Sequence, residues 1–496
     1  MKVIKRDGRA VDFKSEKISI AIEKANTEVK DKEKATKKEI EEIIKYIEDL
    51  DKKRILVEDI QDIIEQKLME IQKFNLAKKY IVYRYTRALV RKQNTTDESI
   101  LGLIKKSNRT ISQEGFNQKA VTASMQRDLI AGEVSKDLTR RILLPEKITK
   151  ANEEKTIYFH NAEYFLQQII NSSVINLEDM LDNGTVINGI MIDTPKSFQV
   201  ACTVMAQIIL AVACSQYGKQ YMSINPLGKY LRKSQEKYQK QLREKYKGII
   251  DLNLLDEIVK DRVMQELKNG IQTILCQINT LITTNGKPPH IVFLLNQKDD
   301  DIYIKENKMI VDEIICQINQ GIKNEKGEYE KMNLPEIITD SKEIRKVLEH
   351  KFDQGKVSIN LAQVAKIAQK DENIFWTLLN ERLDLCYEAL MYRHYALLGT
   401  IADISPIHWR YGGIARLEYG ESINKLLKDG SSTLTLGYMG IDEATELMKK
   451  DENNDKEDIT FEKNIKKMLK EKTQQWKKET GIDFVLEKWY NFYQAQ

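Results

Sequence analysis

The first seventeen residues place the strongest constraint on what this chain can fold into. Asp7-Gly8 lies between two short apolar and basic runs, which is a strong hairpin signal because both turn positions need positive φ. The hairpin and the helix start after it carry the cations Lys5, Arg6, Arg9 and Lys17. Cations that a rigid turn holds in place can form charge-assisted hydrogen bonds with the phosphates of a triphosphate. Charge alone, however, favours an ordinary basic surface hairpin.

Apolar periodicity predicts four helices after the hairpin. The first starts near Lys17, and the second begins at Thr36-Lys-Lys-Glu39, which has the pattern of a capping box. The third carries apolar residues from Val57 to Ile71, and the fourth runs from Asn75 to Arg91. The fourth helix ends in a basic cluster of Arg84, Arg87 and Arg91.

The string Val-x-Lys-Arg-Asp-Gly-Arg, followed by a short strand and a helix opening with Glu-Lys-Ile, resembles the ATP-cone. This is a small regulatory nucleotide-binding domain, and the resemblance spans residues 1–92. It implies a mostly helical domain that takes ATP or dATP as an allosteric ligand. The nucleotide-binding residues that it implies are Lys5, Arg6, Asp7, Gly8, Arg9 and Lys17, with Gln61 and Arg87 as weaker candidates.

Composition excludes several classes of partner. The net charge is only +4, from 79 basic and 75 acidic residues, so there is no electrostatic case for direct nucleic-acid binding. The longest apolar stretch, Val200 to Cys214, is shorter than the ~20 residues that span a bilayer, and it predicts a buried helix. No secretory signal is recognised at the basic, polar start of the chain. We therefore expect a cytoplasmic protein that does not enter a membrane.

The cysteines are scattered along the chain without a C-x-x-C pair. They are Cys202, Cys214, Cys276, Cys316 and Cys386. This spacing argues against a disulfide framework and against a four-cysteine zinc site. Each is expected to be a small buried hydrophobe.

The rest of the chain reads as a linker and a large second domain. Residues 93–120 are polar and are interpreted as the linker, and residues 121–496 as the second domain. Within the latter, helices alternate with short β-like runs at Ile291–Leu295, Val357–Leu361 and Ser432–Leu436, which predicts an α/β sheet or barrel. The charged run Lys229–Lys247 predicts a helix with a solvated face.

Eight strings of the second domain, taken together and in order, resemble the anaerobic (class III) ribonucleoside-triphosphate reductase family. They are Ile175–Thr185, Pro195–Phe198, Ala213–Gly218, Gln277–Gly286, Gly321–Gly327, Gln354–Leu361, Glu381–Cys386 and Ser432–Tyr438. The resemblance implies a ten-stranded α/β barrel that dimerises and replaces the ribose 2′-hydroxyl of a ribonucleotide with hydrogen. In that chemistry a C-terminal glycyl radical passes to a cysteine on a loop inside the barrel, and a second cysteine on a barrel strand takes part in the reduction.

Four departures from the family pattern all bear on that chemistry. Ser172 and Ser173 stand in place of the family's cysteine pair, and His160-Asn161 replaces its His-Asp. The chain passes from Leu334–Ile338 to Lys351–Gly355 in about a dozen residues, where the family has a long segment with the radical cysteine. The sequence also stops soon after Gly481–Val485, so we expect neither the family's zinc site nor its glycyl radical.

A further string, Leu436-Gly-Tyr-Met-Gly440, resembles the glycyl-radical motif but lacks the arginine that precedes the radical glycine. It belongs to an internal element of the family, and we expect it to form a turn or loop.

The remaining barrel candidates are binding groups, each with a structural alternative. The loop that contains Ser431, Ser432 and Thr433 could accept phosphates through its backbone N–H groups, or be a plain turn before a strand. Asn360 would face the barrel interior and bind sugar or base, or be a buried, satisfied amide. His394 and His408 lack ligand partners at metal-site spacing and are expected to be structural.

The sequence thus predicts an ATP-cone followed by a shortened reductase-type barrel that has no catalytic residues of its own. It would act as a regulatory or interaction subunit sensing ATP and dATP, as a homodimer or paired with an intact reductase. One alternative is a working reductase whose radical-bearing parts come from another chain. A second alternative is a decaying gene product without a selected function.

Overall fold

The computed structural model divides the chain into two compact units, Met1–Gly102 and Leu103–Gln496. It describes residues 2–4, 10–27, 29–50, 54–82, 84–85, 123–247, 251–280, 283, 288–295, 302–323, 326–330, 334–428, 430–449 and 455–489. The predicted linker, residues 93–120, lies outside the described residues.

The first unit packs helices on a small sheet. Its strands are β1 (Lys2–Ile4), β2 (Ala10–Asp12) and β3 (Arg54–Leu56), and its helices are α1 (Glu16–Asn26), α2 (Lys37–Glu48) and α3 (Val57–Glu70), followed by helical residues 74–82 and 84–85. Strand β1 pairs antiparallel with β2 and parallel with β3. The predicted hairpin is therefore present, although residues 5–9 of its connection lie outside the described residues.

Local sequence signals explain the helices of this unit. The N–H of Glu39 donates to Thr36 Oγ1, and the N–H of Thr36 donates to Glu39 Oε2, which confirms the capping box at the start of α2. The apolar stripes of the three helices and of residues 74–82 meet in a single core, where Ile22, Ile47 and Leu68 are fully buried.

The second unit is built on one mixed sheet. Its strands are β4 (Ile157–Phe159), β5 (Ser172–Ile175), β8 (Gln220–Ser223), β9 (Ile291–Leu294), β12 (Glu336–Ile338), β13 (Phe352–Asn360), β14 (Ser432–Met439) and β15 (Asp483–Lys488). The order is β12-β9-β8-β5-β13-β14-β15, with β4 paired to the far end of β13. Two short hairpins, β6–β7 (Thr185–Ile187, Ile190–Ile192) and β10–β11 (Ile322–Lys323, Tyr329–Glu330), lie outside it.

The sheet consists of two parallel halves joined at one antiparallel seam. Strands β5, β8, β9 and β12 run parallel to one another, and so do β13, β14 and β15. At the seam β13 pairs with β5 through only two residue pairs, Phe352 with Ser173 and Asp353 with Ser172. The predicted α/β architecture is confirmed, and the described residues supply eight strands to this sheet against ten in the predicted barrel.

Helices cover the outer face of each half. The helices of the second unit are α4 (Ala123–Leu138), α5 (Glu146–Glu153), α6 (Leu177–Asp182), α7 (Phe198–Ala213), α8 (Pro226–Lys245), α9 (Leu252–Thr280), α10 (Ile304–Gln320), α11 (Ser341–Leu348), α12 (Leu361–Ala368), α13 (Glu372–Leu397), α14 (Pro406–Trp409), α15 (Ile441–Met448) and α16 (Asp455–Thr480). The first core joins β5, β8 and β9 to α7, α8, α9 and α10, and the second joins β13 and β14 to α5, α12, α13, α15 and α16.

The apolar stretch predicted as a buried helix is α7, and its Phe198, Cys202 and Met205 are fully buried. None of the described helices is both long and apolar enough to span a membrane.

Helix α11 lies on the inner face of the sheet. Strand β9 alternates, so that Ile291 and Phe293 face the outer helices while Val292 and Leu294 pack with Ile344 of α11. This helix occupies most of the short connection between β12 and β13, where the family resemblance implies a long segment. The connection between the two halves therefore folds back onto the inner surface.

Two local predictions are wrong. Cys202 and Cys386 are buried, but Cys214, Cys276 and Cys316 are exposed because they lie on the outward sides or ends of α7, α9 and α10. The string Leu436–Gly440 is a turn only at its end: Gly440, with φ of 70°, connects β14 to α15 as predicted. Gly437, by contrast, lies in the middle of β14, paired with β13 and β15 on either side. A Cβ atom there would collide with Ser358 Oγ, so close strand packing requires glycine at this position.

Candidate functional site

Many polar side chains line a cavity of about 540 Å³ at the seam between the two halves. We call it the seam cavity. Ser172 and Ser173 of β5 line it, together with Asp353 of β13 and Thr433 and Thr435 of β14. The two serines that replace the family's cysteines are thus at the wall of the cavity.

Ser173 is tied into a buried hydrogen-bonded chain. Its hydroxyl donates to Gln216 Oε1 at 2.5 Å, and His408 Nε2 lies 3.0 Å from the same oxygen. The amide nitrogen of Gln216 donates to the carbonyl of Lys219 at 2.9 Å, so Oε1 can only accept. His408 must therefore donate from Nε2 and accept at Nδ1 from the hydroxyl of Ser405, 2.6 Å away. Burial lowers the pKa of His408 to about 3, which keeps this ring neutral.

Asp353 is the buried carboxylate of the cavity wall. It accepts hydrogen bonds from Asn171 Nδ2 and, at 3.0 Å, from Thr435 Oγ1. Burial raises the pKa of Asp353 to about 6, because these donors only partly offset the loss of water. Asp353, on β13, thus links the residue before β5 to β14 and presents a charge to the cavity.

His160 lies at the other end of the seam cavity. Its Nε2 is 2.7 Å from Ser358 Oγ, and its carbonyl accepts a hydrogen bond from the buried Arg393. Burial, with Lys356 and Arg393 nearby, lowers the pKa of His160 to about 3. The ring of Trp489 packs edge-on against His160 with 4.5 Å between centroids, and both side chains line the cavity.

The other predicted barrel residues have mostly structural contacts. Asn360 accepts from the N–H of Gln363 at 3.2 Å and so caps α12, which favours the satisfied-amide alternative. Ser431 leads into β14, and its N–H donates to the carbonyl of Lys428. Ser432 Oγ accepts from Gln354 at 2.8 Å. Of the three hydroxyl residues in that segment, only Thr433 lines the seam cavity.

The predicted structural histidines are both buried and hydrogen-bonded. His408 belongs to the chain described above, and His394 Nδ1 lies 2.9 Å from Gln354 Oε1. No cluster of three metal-ligating side chains is found among the described residues.

The structure describes only two of the candidate ATP-cone residues. Lys17 is exposed in the first turn of α1, and Gln61 is half-buried on α3. The other six, Lys5, Arg6, Asp7, Gly8, Arg9 and Arg87, lie outside the described residues.

Arg84, which the sequence placed in a basic cluster, is surrounded by acidic side chains. It contacts the carboxylates of Glu58, Asp62 and Glu65 on α3 at 2.6 to 2.9 Å. Its charge is therefore engaged within the unit.

A lysine-lined groove of about 470 Å³ was missed by the sequence reading. Lys233, Lys237 and Lys240 on one face of α8 lie opposite Lys196, and Glu236 is the one acid among the described residues that line it. The spacing i, i+4, i+7 within the charged run could have revealed it, because such residues share one helix face. Four lysines against one glutamate make the electrostatic potential of this groove positive, which attracts anions. We call it the lysine groove.

A third cavity, of about 690 Å³, opens at the carboxyl ends of β5, β8 and β9. Ile344 and Leu348 of α11 form part of its wall, whereas Glu343, Lys346 and Val347 of the same helix line the seam cavity. The inner helix thus separates the two cavities. None of the five cysteines lines either of them or the lysine groove.

Comparisons with known proteins point to the same family for both parts of the chain. A family model described as anaerobic ribonucleoside-triphosphate reductase matches residues 114–349 and 337–489, and one described as ATP cone domain matches residues 1–89. The chain is 27% identical to the anaerobic ribonucleoside-triphosphate reductase of Escherichia coli, over 98% of this chain and 75% of that protein. It is 28% identical to the same enzyme of Haemophilus influenzae, over 98% of this chain and 76% of that one.

Solved structures share the fold at low identity. The anaerobic ribonucleotide reductase from Thermotoga maritima with dATP bound in the specificity site superposes with a TM-score of 0.54 at 11% identity, covering 78% of this chain and 72% of that one. The same enzyme in complex with dATP and CTP gives a TM-score of 0.54 at 13% identity, covering 80% and 75%. Likeness at this level shows the fold alone.

Proposed function

Because this chain belongs to the anaerobic ribonucleoside-triphosphate reductase family, we propose that it is a nucleotide-sensing member that does not itself perform radical reduction. In this proposal residues 1–92 are an ATP-cone, residues 93–120 a linker, and residues 121–496 a barrel kept for binding and interaction. The observation that carries it is the pair Ser172–Ser173 on the wall of the seam cavity.

The chemistry of serine supports the loss of reduction. By the family resemblance, the strand cysteine takes part in the reduction through its thiol, and a serine hydroxyl is not a comparable reductant. Abstraction of the sugar hydrogen by a thiyl radical belongs to the separate loop cysteine. Ser173 also uses its hydroxyl to bind Gln216. The internal segment that would carry a radical cysteine is short, and α11 fills it. Removing a group that performs the chemical step usually removes most of the rate.

Two features support nucleotide sensing. The ATP-cone family model covers residues 1–89, and the second unit adds the lysine groove. A triphosphate carries several negative charges. Lysines that line one groove attract these charges, and the attraction remains favourable even where water screens it. The relatives solved with dATP make this effector a reasonable ligand to test here.

Thermal unfolding of the full chain with ATP, dATP and the ribonucleotide substrates tests the proposal. A ligand at ~100 times its dissociation constant should add about 2.7 kcal/mol to the unit that binds it. The double variant Lys5→Ala with Arg6→Ala should lose the ATP shift of the cone without unfolding. Lys196→Ala with Lys240→Ala should lose any dATP shift of the second unit, while the exposed Lys366→Ala on α12 serves as the matched control.

No shift with either ATP or dATP would contradict nucleotide sensing. Retained ATP affinity in the Lys5, Arg6 variant would contradict the cone assignment. A chain that does not fold alone would favour the view that it has no selected function.

A second candidate is a working reductase completed by another chain. It is favoured by the polar cavity that persists inside the barrel fold. The test is to mix the chain with an intact anaerobic reductase or its radical-bearing fragment and an activating enzyme. Deoxyribonucleotide formation that depends on this chain would establish it. The same mixture, measured by light scattering, reports whether the chain forms a homodimer or pairs with the intact enzyme.

A further inference from the structure

We propose that the outward face of helix α16 binds the phosphate backbone of double-stranded nucleic acid without reading its sequence. We call it the basic face of α16, and it consists of Lys463, Lys467, Lys470, Gln474, Lys477 and Lys478. This goes beyond the sensing of ATP and dATP, which we place in the cone and the lysine groove. It does not depend on that proposal, because it uses other residues.

Positive charge is concentrated on this helix. Residues 461–480 hold seven lysines and three glutamates, so their net charge of +4 equals that of the whole chain. The net charge of the chain gives no electrostatic case for nucleic-acid binding, but it averages over this concentration. A polyanion responds to the local potential of the surface that it approaches.

The spacing of the lysines places them along one stripe. Positions 463, 467, 470, 474 and 477 follow one another at intervals of three or four residues, which are neighbours on a helix surface. At 1.5 Å per residue, the stripe from Lys463 to Lys478 is about 22 Å long. All five of its lysines are exposed.

The opposite side of the helix anchors it. Ile465, Leu469 and Trp476 are buried in the second core, and Phe461 and Met468 pack against the same core. Tertiary packing therefore holds α16 in place and turns the lysines towards solvent. The basic face is formed before any ligand arrives, so binding does not have to order the helix.

Most lysines of the basic face keep their charge available. No ion pair of Lys463, Lys470 or Lys478 with a described residue is found. Lys467 lies 3.9 Å from Glu471, and both side chains are largely exposed, so this pair contributes little. Lys477 is engaged by Asp483. Four lysines are thus open to a ligand.

The surroundings favour phosphates over a protein partner. Protein interfaces depend on apolar and aromatic anchors at their centre. None of the exposed large apolar side chains of the described residues lies on α16. The exposed residues beside the lysines include the amides Asn464 and Gln474, which are side chains that donate to phosphate oxygens.

The same surroundings favour a duplex over a single strand. Proteins bind single strands by stacking bases on exposed aromatic rings, whereas Trp476 is only 3% exposed. A duplex carries one negative charge per about 1.7 Å of its axis, which gives roughly a dozen charges along the 22 Å of the basic face. Lysines that contact only the backbone position the protein on the duplex but carry no sequence information.

The test is fluorescence anisotropy of the full chain with labelled DNA duplexes of about 30 base pairs and two unrelated sequences. We expect both duplexes to bind equally. Four phosphate contacts predict a slope of about −3.6 in a plot of log affinity against log salt, so affinity should fall about 150-fold between about 50 and 200 mM salt.

Two triple variants with the same change in charge assign the binding to the basic face. Lys463→Gln with Lys470→Gln and Lys478→Gln should weaken binding at least about tenfold at low salt and reduce the slope to about −1. Its matched control replaces three exposed lysines on other helices of the same unit, and it should keep the parental slope. The control substitutions are Lys150→Gln, Lys308→Gln and Lys342→Gln on α5, α10 and α11.

Several results would overturn the inference. They are the absence of duplex binding at low salt, an unchanged salt slope in the basic-face variant, or an equal loss in the control variant. Loss of duplex binding in Lys196→Ala with Lys240→Ala instead would place the duplex in the lysine groove. Tighter binding of a polyglutamate peptide than of the duplex would identify an acidic protein as the partner. The stabilisation by ATP and dATP is measured separately and can succeed or fail on its own.

Discussion

The hydroxyl of Ser173 donates to Gln216 Oε1 across 2.5 Å, in a fully buried position on the strand where the family resemblance implies a cysteine. The same oxygen accepts from His408, so one amide joins β5 to α14. A thiol is a weaker donor than a hydroxyl. Serine at this position therefore stabilises the fold through a bond that cysteine would form less well.

Ser173→Ala should lower the free energy of unfolding by about 1–2 kcal/mol, because it removes a buried hydrogen bond and leaves the Gln216 oxygen with one donor. Chemical denaturation at neutral pH measures this. Ser172→Ala, which removes the neighbouring hydroxyl that lines the cavity, is the control and should change stability by less than about 0.5 kcal/mol. An equal loss of unfolding free energy in both variants would show that the hydrogen bond to Gln216 does not contribute to stability.

Ile344→Ala should release helix α11 from the inner face of the sheet. Ile344 is the only residue of this eight-residue helix that is buried, and it packs on Val292 and Leu294. A helix of this length is not stable without tertiary contacts. Losing a buried isoleucine side chain costs about 2–5 kcal/mol, here mostly as local opening.

Hydrogen exchange of the amides in residues 341–348 is the measurement, with faster exchange expected in the variant. Leu348→Ala is the matched control, since Leu348 is 48% exposed and should be nearly neutral. Unchanged protection in Ile344→Ala would mean that other contacts hold the helix.

Stability should fall as the pH drops below about 6.5. Burial lowers the pKa of both His160 and His408 to about 3, so between about 6.5 and 3 the unfolded chain binds more protons than the folded one. Each ring then lowers the free energy of unfolding by up to about 1.4 kcal/mol for each unit that the pH falls. Asp353 acts in the opposite direction between about 6 and 3.8, since its raised pKa lets the folded state hold a proton that the unfolded chain releases.

Urea unfolding at steps from pH 7 to pH 5 checks this, with His408→Gln as the test variant. Its stability should decline less steeply with falling pH than that of the parent, whatever its value at pH 7. Identical slopes in the two proteins would contradict a neutral His408.

Arg84→Ala should destabilise the first unit by about 1–2 kcal/mol. It would leave Glu58, Asp62 and Glu65 close together on α3 without their shared cation, and networked charges contribute more than single surface pairs. The affinity for ATP should stay the same, since this guanidinium is engaged by carboxylates. Thermal unfolding with and without ATP measures both effects, and Lys78→Ala, which changes an exposed lysine within residues 74–82, is the control. A large loss of ATP affinity in Arg84→Ala would contradict this expectation and make Arg84 a candidate for phosphate binding.

Short-range signals in the sequence determined much of this protein. The capping box at Thr36 and Glu39, the apolar stripe of α7 and the runs that became β9, β13 and β14 depend on neighbours a few residues apart. The family resemblance rested on such local strings as well. The same strings located Ser172 and Ser173 at positions that now line a cavity.

Only the tertiary structure decided which polar groups meet. Asp353 lies 182 residues from Asn171, and Ser173 reaches His408 only through Gln216, so no local pattern could have paired them. Gly437 was mistaken for a turn residue because its need for glycine comes from Ser358 on the adjacent strand. The lysine groove likewise needs Lys196 to come opposite α8. Side-chain contacts across a sheet depend on strand order and register, which the chain fixes only when it packs as a whole.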